Sequence, residues 1–254
     1  MQLLVVGAGE MGRWFARNGG ADAVAFADQD PRVAEAAAAE LDGMGDLPID
    51  DVRAVPTDTD ERFDAVCVAV PMTAVPEAIG THATRAREAV LDVSGEMQDS
   101  VAALAAHADG RERASFHPLF SPANAPGNVP VVVDRGGPVV DRVRGSLEAA
   151  GNRVFETTPE AHDRAMETVQ AKVHTAVLAF ALAAEPVDPR FHTAVSEPLA
   201  GLVEQVVDGS PSVYADIQDR FEGGEAVAAA ARELAAADGE AFVRLYEEAA
   251  EAGR

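Results

Sequence analysis

A glycine-rich turn close to the start of the chain restricts the possible folds more than any other feature. The segment GAGEMG (7–12) follows the apolar run QLLVVG (2–7) and leads into a stretch with helical character, 11–18. In a G-x-G-x-x-G turn the first glycine permits the tight turn, the second lets the backbone approach a pyrophosphate, and the third allows close packing of helix on strand. The pattern predicts a strand–turn–helix unit that binds a dinucleotide, with a glycine turn that binds nothing as the alternative.

The predicted dinucleotide site also uses the ends of neighbouring strands. Asp28 closes the second apolar run, 21 residues after Gly7, where a carboxylate accepts a hydrogen bond from the ribose 2′-hydroxyl. Such a carboxylate disfavours the 2′-phosphate of NADP, so NAD is the predicted cofactor. Val70 and Pro71 follow the run AVCVAV and are predicted to line the nicotinamide end, although a plain strand exit explains them equally well. The residues assigned to cofactor binding are Gly7, Ala8, Gly9, Glu10, Met11, Gly12, Asp28, Val70 and Pro71.

Strand-like apolar runs alternate with helix-compatible stretches up to about residue 155, and only helical patterns follow. Near-continuous apolar strands separated by helices indicate a parallel sheet covered on both faces. The predicted fold class is α/β: a Rossmann-type, doubly wound, mainly parallel sheet in residues 1–155, followed by an all-helical domain in residues 156–254. The helical domain is expected to begin with one long helix over 159–184. The predicted strands are 2–7, 23–28, 65–70, 89–94, 113–116, 129–134 and 153–156.

The charge balance excludes several classes of partner. The chain has 43 acidic and 20 basic residues, a net charge of −23, and Lys172 is its single lysine. A field of that sign repels nucleic acid and anionic membranes. Strong acidity with almost no lysine resembles the proteins of salt-loving archaea, so we expect a protein that tolerates high salt.

The cysteine count and the N-terminal sequence bear on location and metal binding. Cys67 is the only cysteine of the sequence, which excludes an intrachain disulfide and a cysteine-rich zinc site. No metal is predicted. Because the sequence shows neither a basic leader nor an apolar stretch long enough to span a bilayer, we expect a cytoplasmic protein.

A proline-rich loop places a histidine at the predicted ligand-binding edge of the sheet. The segment SFHPLFSPANAPGN (115–128) is too broken for a helix and too rich in proline for a central strand. His117 leaves a predicted strand at the same edge as Gly9, Pro71 and Ser94. A neutral imidazole with a pKa near the ordinary ~6.5 can accept a hydroxyl proton as hydride leaves the same carbon for NAD. A packing or capping histidine is the alternative.

Taken together, these motifs resemble the prephenate dehydrogenase family, whose members join a nucleotide-binding domain to a helical dimerisation domain. HPLFSP (117–122) is similar to the family's HPMFGP-like loop, and DVSGEM (92–97) looks like its strand-exit serine segment. AHDRAMETVQAKVHTAVLAFAL (161–182) is similar to the family's HD-led helix, and SPSVYADI (210–217) resembles a further C-terminal segment. The resemblance spans nearly the whole chain.

The resemblance implies NAD-dependent oxidative decarboxylation of prephenate to 4-hydroxyphenylpyruvate in tyrosine biosynthesis, by a homodimer formed through the C-terminal helices. It implies that His117 accepts the proton of the ring hydroxyl, that Ser94 hydrogen-bonds the same hydroxyl and that His174 contacts the substrate. Arogenate as substrate, another small hydroxy acid with Lys172 as catalyst, and an NAD-binding sensor without turnover stay open. The implied substrate-binding residues are His174, Gln170, Ser121 and Gln205.

One position departs from the family's pattern. The family usually places an arginine before the YADI-like segment to hold the substrate carboxylate, and Gln205 stands at the matching position here. Glutamine does not reproduce a bidentate guanidinium–carboxylate contact. Lys172, Arg190 and Arg220 are the candidate replacements.

Two polar pairs of the long predicted helix have ordinary structural explanations. His162 and Asp163 fall in its first turn, where Asp interacts favourably with the helix dipole, so we interpret them as a helix-terminus feature. Gln170 and His174 are four residues apart and are expected to share one helix face with Met166. That pair is explained either by substrate contact or by a satisfied interface pair.

Overall fold

The structure, a computed structural model, describes residues 1–45 and 48–252, which form eight strands and eleven α-helices. The strands are β1 (Gln2–Val6), β2 (Ala23–Ala27), β3 (Asp51–Ala54), β4 (Phe63–Val68), β5 (Ala86–Val93), β6 (Glu112–Phe116), β7 (Asn128–Arg135) and β8 (Arg153–Glu156). The helices are α1 (Glu10–Asn18), α2 (Pro31–Asp42), α3 (Val75–His82), α4 (Gln98–His107), α5 (Pro138–Ala149), α6 (Pro159–Met166), α7 (Val173–Ala183), α8 (Ser196–Val207), α9 (Pro211–Arg220), α10 (Gly224–Ala236) and α11 (Gly239–Ala252). The last two residues of the predicted helical domain, 253 and 254, lie outside the described residues.

The strands form one sheet in the order β3-β2-β1-β4-β5-β6-β7-β8. Neighbours from β3 to β6 pair in parallel, β7 is antiparallel to β6, and β8 is parallel to β7. The predicted doubly wound, mainly parallel sheet is therefore confirmed.

Both faces of the sheet are buried because its central strands carry runs of apolar residues whose side chains point to both faces. Leu3 and Val5 of β1 belong to a core cluster with residues of α1, α2 and α5, whereas Leu4 and Val6 belong to a second cluster with residues of α3 and α4. Side chains of a strand alternate between the two faces, so an uninterrupted apolar run is what a doubly covered strand requires.

The short strand β3 was not predicted. Its sequence, DVRA, alternates two charged residues with two apolar ones, and none of its residues is fully buried. It pairs with β2 in parallel at the edge of the sheet. An edge strand with polar side chains lacks the apolar run by which the buried strands are identified.

The chain divides into two compact units, Met1–Asp163 and Arg164–Arg254. The last strand, β8, ends at Glu156, next to the predicted boundary at 155, and the first unit continues into the first turns of α6. The functions assigned to the two domains stay predictions. None of the helices in the described ranges has the length and apolar content needed to cross a bilayer, and the cellular location also stays a prediction.

The prediction of one continuous α-helix over 159–184 is wrong in its middle. Residues Glu167–Lys172, between α6 and α7, form a π-helical segment. In the second unit the amide nitrogen of Gln218 donates to the Ala171 carbonyl oxygen at 3.0 Å, so a side chain of α9 bonds a carbonyl of this irregular segment. Insertions of π geometry into α-helices occur frequently at functional sites.

Candidate active site

The glycine turn between β1 and α1 has the geometry that a bound pyrophosphate needs. Gly7 has φ +96°, and a Cβ there would lie 2.3 Å from the Ala69 carbonyl oxygen; a Cβ at Gly12 would lie 2.0 Å from the Gly7 carbonyl oxygen. A Cβ at Gly9 would meet no atom within 4 Å. Gly9 is also the N-cap of α1 and makes no side-chain cap bond. The turn thus leaves open space in front of helix amides, which suits a phosphate group.

Asp28 follows β2 beside this turn. Its Oδ2 accepts a hydrogen bond from the Ala8 amide at 2.9 Å, and its Oδ1 accepts one from the Asp30 amide at 3.0 Å. The side chain is half-buried. The carboxylate is therefore fixed next to the glycine turn and keeps acceptor capacity for a ribose hydroxyl.

The exit of β5 lies next to the proline-rich loop 115–128, called the histidine loop below because it carries His117. A Cβ added to Gly95 would lie 2.6 Å from the Met72 sulfur and 3.7 Å from Nε2 of His117. The neighbouring Ser94 is buried, and its Oγ accepts a hydrogen bond from the Glu96 amide at 3.3 Å. Val70 and Pro71 directly precede Met72 along the chain, and their place at the nicotinamide end stays a prediction.

The histidine loop is fastened at both ends and along its side. The His117 amide donates to the Pro130 carbonyl at 3.0 Å and the Leu119 amide donates to the Asn128 carbonyl at 2.9 Å. Phe120 packs edge-on against Trp14 of α1, with ring centroids 5.3 Å apart. The loop is thereby attached to the helix that begins at the glycine turn. Ser121 is exposed, and its Oγ accepts a hydrogen bond from the Asn124 amide nitrogen at 3.1 Å.

His117 belongs to a buried chain of hydrogen bonds. Its Nδ1 lies 2.9 Å from Nε2 of His162, and Nδ1 of His162 lies 2.7 Å from Oδ1 of Asp163. The two carboxylate oxygens of Asp163 also accept hydrogen bonds from the Met97 amide at 3.0 Å and the Gln98 amide at 3.1 Å, at the start of α4. Asp163 therefore does act at a helix N-terminus, but at that of α4 rather than of its own helix, and the interpretation of His162 and Asp163 as a terminus feature of α6 is wrong.

Burial and neighbouring charges set the protonation states in this chain. Burial, assisted by the nearby His162, lowers the pKa of His117 to about 3, against the opposing effect of Asp163, so the imidazole is neutral at physiological pH. Burial alone would raise the pKa of Asp163, but the hydrogen bonds from His162, Met97 and Gln98 outweigh it and lower that pKa. The chain thus pairs a neutral imidazole with an ionised carboxylate.

A second buried carboxyl group, Asp92, lies near the end of β5. Its Oδ1 accepts a hydrogen bond from the Ser115 hydroxyl at 2.9 Å, whereas Oδ2 has no partner with hydrogen-bond geometry among the described residues. Burial raises the pKa of Asp92 to about 8; the Ser115 hydroxyl, the Ser94 amide and the Ser100 hydroxyl oppose this rise, and the nearby Glu96 adds to it. Asp92 is accordingly a protonated acid at neutral pH.

The second unit contains the other residues assigned to the substrate. His174 packs edge-on against Tyr214, with ring centroids 4.7 Å apart, and burial lowers its pKa. Gln170 lies in the π-helical segment, between Met166 at the end of α6 and His174 in α7. The shared face of these three residues stays a prediction.

The carboxylate-binding residue of the substrate site is not identified by the contacts of the second unit. Gln205 is exposed on α8. Of the candidate replacements, the exposed Arg190 pairs with the Asp188 carboxylate at 2.7 Å, Lys172 is half-buried in the π-helical segment and Arg220 ends α9. Their assignment to the substrate stays a prediction.

Sequence reasoning missed the hydrogen-bond chain from Asp163 through His162 to His117, and the place of Gly95 beside the imidazole. One feature of the sequence could have indicated this chain: the His162–Asp163 pair at the start of the segment 161–182, which is similar to the family's HD-led helix. No group of three or more metal-ligating side chains with suitable geometry occurs in the described part of the chain.

Comparison with curated proteins finds dehydrogenases of one type. The 4-amino-4-deoxyprephenate dehydrogenase of Streptomyces pristinaespiralis is 31% identical over 240 residues, which cover 85% of this chain and 76% of that protein. A probable arogenate/prephenate dehydrogenase of Methanocaldococcus jannaschii is 25% identical over 173 residues, covering 62% of this chain and 39% of that protein. No family model matches the chain.

Among solved structures, prephenate dehydrogenase of Aquifex aeolicus in complex with hydroxyphenyl propionate and NAD+ superposes with a TM-score of 0.67. The match covers 98% of this chain and 92% of that chain at 19% identity. Synechocystis arogenate dehydrogenase superposes with a TM-score of 0.59 at 14% identity, covering 98% and 97% of the two chains. At these identities the likeness supports the fold.

Proposed function

Since the chain belongs to the prephenate/arogenate dehydrogenase family of oxidoreductases, we propose that it oxidises and decarboxylates a prephenate-type cyclohexadiene with NAD as cofactor. The observation that carries this proposal is the neutral, buried His117 imidazole, whose Nε2 is directed towards Gly95 beside Ser94 at the strand exits.

The residues around the glycine turn fit NAD. The amides of Glu10 and Met11 would bind the pyrophosphate at the N-terminus of α1, in the space that Gly9 leaves open. Asp28 would accept a hydrogen bond from the ribose, and Val70 and Pro71 would line the nicotinamide end. When bound, NAD supplies the nicotinamide carbon that takes up hydride.

His117 accepts the proton of the substrate's ring hydroxyl, and Ser94 hydrogen-bonds that hydroxyl. Loss of hydride from the carbinol carbon and loss of the hydroxyl proton give a dienone. The carbon–carbon bond to the ring carboxylate then breaks, its electron pair makes the ring aromatic, and carbon dioxide leaves. The proton held on His117 returns to the phenolate oxygen, so the conversion of prephenate to 4-hydroxyphenylpyruvate needs no net proton from solvent and no metal. Proton transfer of this kind contributes typically ~10²–10⁴-fold to a rate.

Prephenate is the substrate that we propose, with arogenate as the close alternative. A third substrate, 4-amino-4-deoxyprephenate, is favoured by one observation: the relative that is 31% identical is named for it. An amine at the same ring carbon can pass a proton to a neutral imidazole just as a hydroxyl can, so the site chemistry suits both. The position of Gln205, where the family has an arginine, leaves the anchoring of the substrate carboxylate to His174, Gln170, Ser121 or one of the bases of the second unit.

We also propose that the chain forms a homodimer through its C-terminal helices. Large apolar side chains are exposed in the second unit, and a second copy would bury them. They include Leu182 (89% exposed), Val195 (78%), Phe191 (74%), Tyr246 (69%), Val187, Val207, Val213 and Val243. Light scattering should give twice the mass of the chain, and a monomer at micromolar concentration would contradict the proposal.

The strong acidity supports adaptation to high salt. With a net charge of −23, self-repulsion opposes the folded state unless it is screened, and the Debye length falls to roughly 3 Å at 1 M salt. We expect the unfolding temperature to rise between 0.1 and 1 M potassium chloride.

The proposed function is tested by following NADH absorbance with prephenate, arogenate and 4-amino-4-deoxyprephenate, each with NAD and with NADP, at molar salt. Turnover with NAD and one of these substrates supports the proposal, and the preferred substrate resolves the alternatives. Tight NAD binding without turnover of any of them would instead identify a non-catalytic NAD sensor.

A further inference from the structure

We propose that His162 and Asp163 are positioning residues that hold His117 in the tautomer whose Nε2 carries the lone pair. For its catalytic consequence this inference rests on the proposed function. The tautomer itself is a property of the free protein and can be measured without substrate.

The first step of the argument fixes the proton on His162. An ionised carboxylate can only accept hydrogen bonds. The Asp163 carboxylate receives the Met97 and Gln98 amides, which cannot give up their protons, and it also lies 2.7 Å from Nδ1 of His162. Nδ1 of His162 therefore carries a proton and donates it to Asp163.

The second step fixes the proton on His117. An imidazolium at 162 would donate from Nε2 as well as from Nδ1. The proposed state is instead a neutral His162, with its proton on Nδ1 and an acceptor at Nε2, and this atom lies 2.9 Å from Nδ1 of His117. Nδ1 of His117 must then be the donor, so the remaining lone pair of the imidazole is on Nε2. That nitrogen is the one directed towards Gly95, where a Cβ would lie 3.7 Å away.

The same bonds support the imidazole after it has taken up a proton. Protonation at Nε2 turns His117 into an imidazolium whose Nδ1–H still donates to His162, and the ionised Asp163 stabilises the positive charge through the His162 ring. Because Asp163 is itself held by the amides at the start of α4, the carboxylate cannot turn away from His162 without losing those bonds. The orientation of the base is therefore tied to the exit of β5, which carries Ser94.

The direct test is nitrogen-15 NMR of histidine-labelled protein without ligands, with His117 assigned by the signals lost in His117→Asn. We expect the two His117 nitrogens to appear as a protonated Nδ1 and an unprotonated Nε2. A protonated Nε2 in the wild-type protein would overturn the proposal.

A matched pair of variants connects the tautomer to catalysis. In His162→Gln the side-chain amide oxygen can still accept the Nδ1–H of His117, whereas His162→Phe fills a similar volume without an acceptor. We expect kcat to fall ~10²-fold or more in His162→Phe and much less in His162→Gln, with the dissociation constant of NAD unchanged in both. Asp163→Asn, which removes the charge, should also lower kcat without affecting NAD binding. Equal kcat values for His162→Gln and His162→Phe would contradict a positioning role.

These readouts separate the inference from the proposed function. If none of the assayed substrates is turned over, the NMR tautomer still decides whether His162 and Asp163 position His117. If His162→Phe fails to fold, the wild-type tautomer and its retention in His162→Gln decide the question, because loss of the Nδ1–H form in His162→Gln would overturn the proposal.

Discussion

The surroundings of Asp163 and of Asp92 differ in the features that determine their charge. Both side chains are buried, at 5% and 0% exposure. Asp163 receives hydrogen bonds from two backbone amides, an amide side chain and a histidine, and its pKa falls below the ordinary range. Burial raises the pKa of Asp92 to about 8, against the opposing effect of the Ser115 hydroxyl, which donates to Oδ1, and weaker contributions from the Ser94 amide and the Ser100 hydroxyl. Complete burial dominates at Asp92, whereas at Asp163 a larger set of donors outweighs a lesser burial, so the balance of the two effects decides whether each carboxyl group ionises.

Asp163 and Asp92 also have different roles at the same edge of the sheet. The ionised Asp163 is bonded to the imidazole chain that ends at His117, whereas the neutral Asp92 packs beneath the strand exit with Ser115. The observed bonds connect Asp163, through His162, to the proposed proton acceptor.

The largest expected effect is a loss of turnover, which we expect for a change in the Asp163 chain but not for a change at Asp92. His117→Asn, at the end of the Asp163 chain, should lower turnover by ~10²–10⁴-fold, the usual range for a lost general base, with NAD affinity nearly unchanged. Asp92→Asn, which keeps the shape of a protonated acid, is the matched control and should leave turnover close to wild type. Steady-state kinetics and NAD titration measure both, and wild-type turnover in His117→Asn would rule out its role as proton acceptor.

A second prediction compares how much Asp163 and Asp92 each contribute to the free energy of unfolding. Asp163→Ala leaves the Met97 and Gln98 amides without their acceptor and should lower the free energy of unfolding by about 3 kcal/mol. Asp92→Asn replaces a neutral acid by a neutral amide and should change it by less than about 1 kcal/mol near pH 5. Urea denaturation at constant salt gives both values. If the two variants lost equal stability, the assigned charge states would be wrong.

Asp163 and Asp92 should also change the stability of the protein in different pH ranges. The lowered pKa of Asp163 contributes stability that is present above its ordinary value of 3.8 and is lost as the pH falls through the lower folded value. The raised pKa of Asp92 keeps it protonated in the folded state, so stability decreases as the pH rises from about 4 to about 8. Asp92→Asn should remove a slope of up to about 1.4 kcal/mol per pH unit in that range. Denaturation at several pH values tests this, and an unchanged slope in Asp92→Asn would show that Asp92 is ionised in the folded protein.

The smallest expected effect concerns Asp28, a half-buried carboxylate at the same edge. Asp28→Asn keeps an acceptor for the Ala8 amide but removes the charge that repels a 2′-phosphate. We expect the preference for NAD over NADP to fall about tenfold, roughly 1.4 kcal/mol. Titration of both cofactors measures the ratio, and an unaltered ratio would show that Asp28 does not contact the ribose.

Local sequence patterns predicted the parts of the fold that depend on local chemistry. The apolar run of β1, the positive φ at Gly7 and the open position at Gly9 all follow from a motif whose backbone geometry is set within a few residues. His117 could be placed at the carboxyl edge because each parallel strand of this fold ends on that edge.

The contacts that depend on distant segments were not predictable from the sequence. His162 bonds His117 across 45 residues, and Asp163 bonds the amides of α4 across 65 and 66 residues. Periodicity assigns residues to helices but does not say which helix end a carboxylate reaches. The π-helical segment Glu167–Lys172 was missed because its residues have ordinary helix propensity.

The most direct test of the account is a crystal structure of the protein with NAD and a 4-hydroxyphenyl product analogue. The account predicts that the ring oxygen lies about 2.6–3.2 Å from Nε2 of His117, the range for a proton-accepting base, while Nδ1 remains bonded to His162. A ring oxygen bound away from this imidazole, or a His117 ring turned so that Nε2 faces His162, would contradict it.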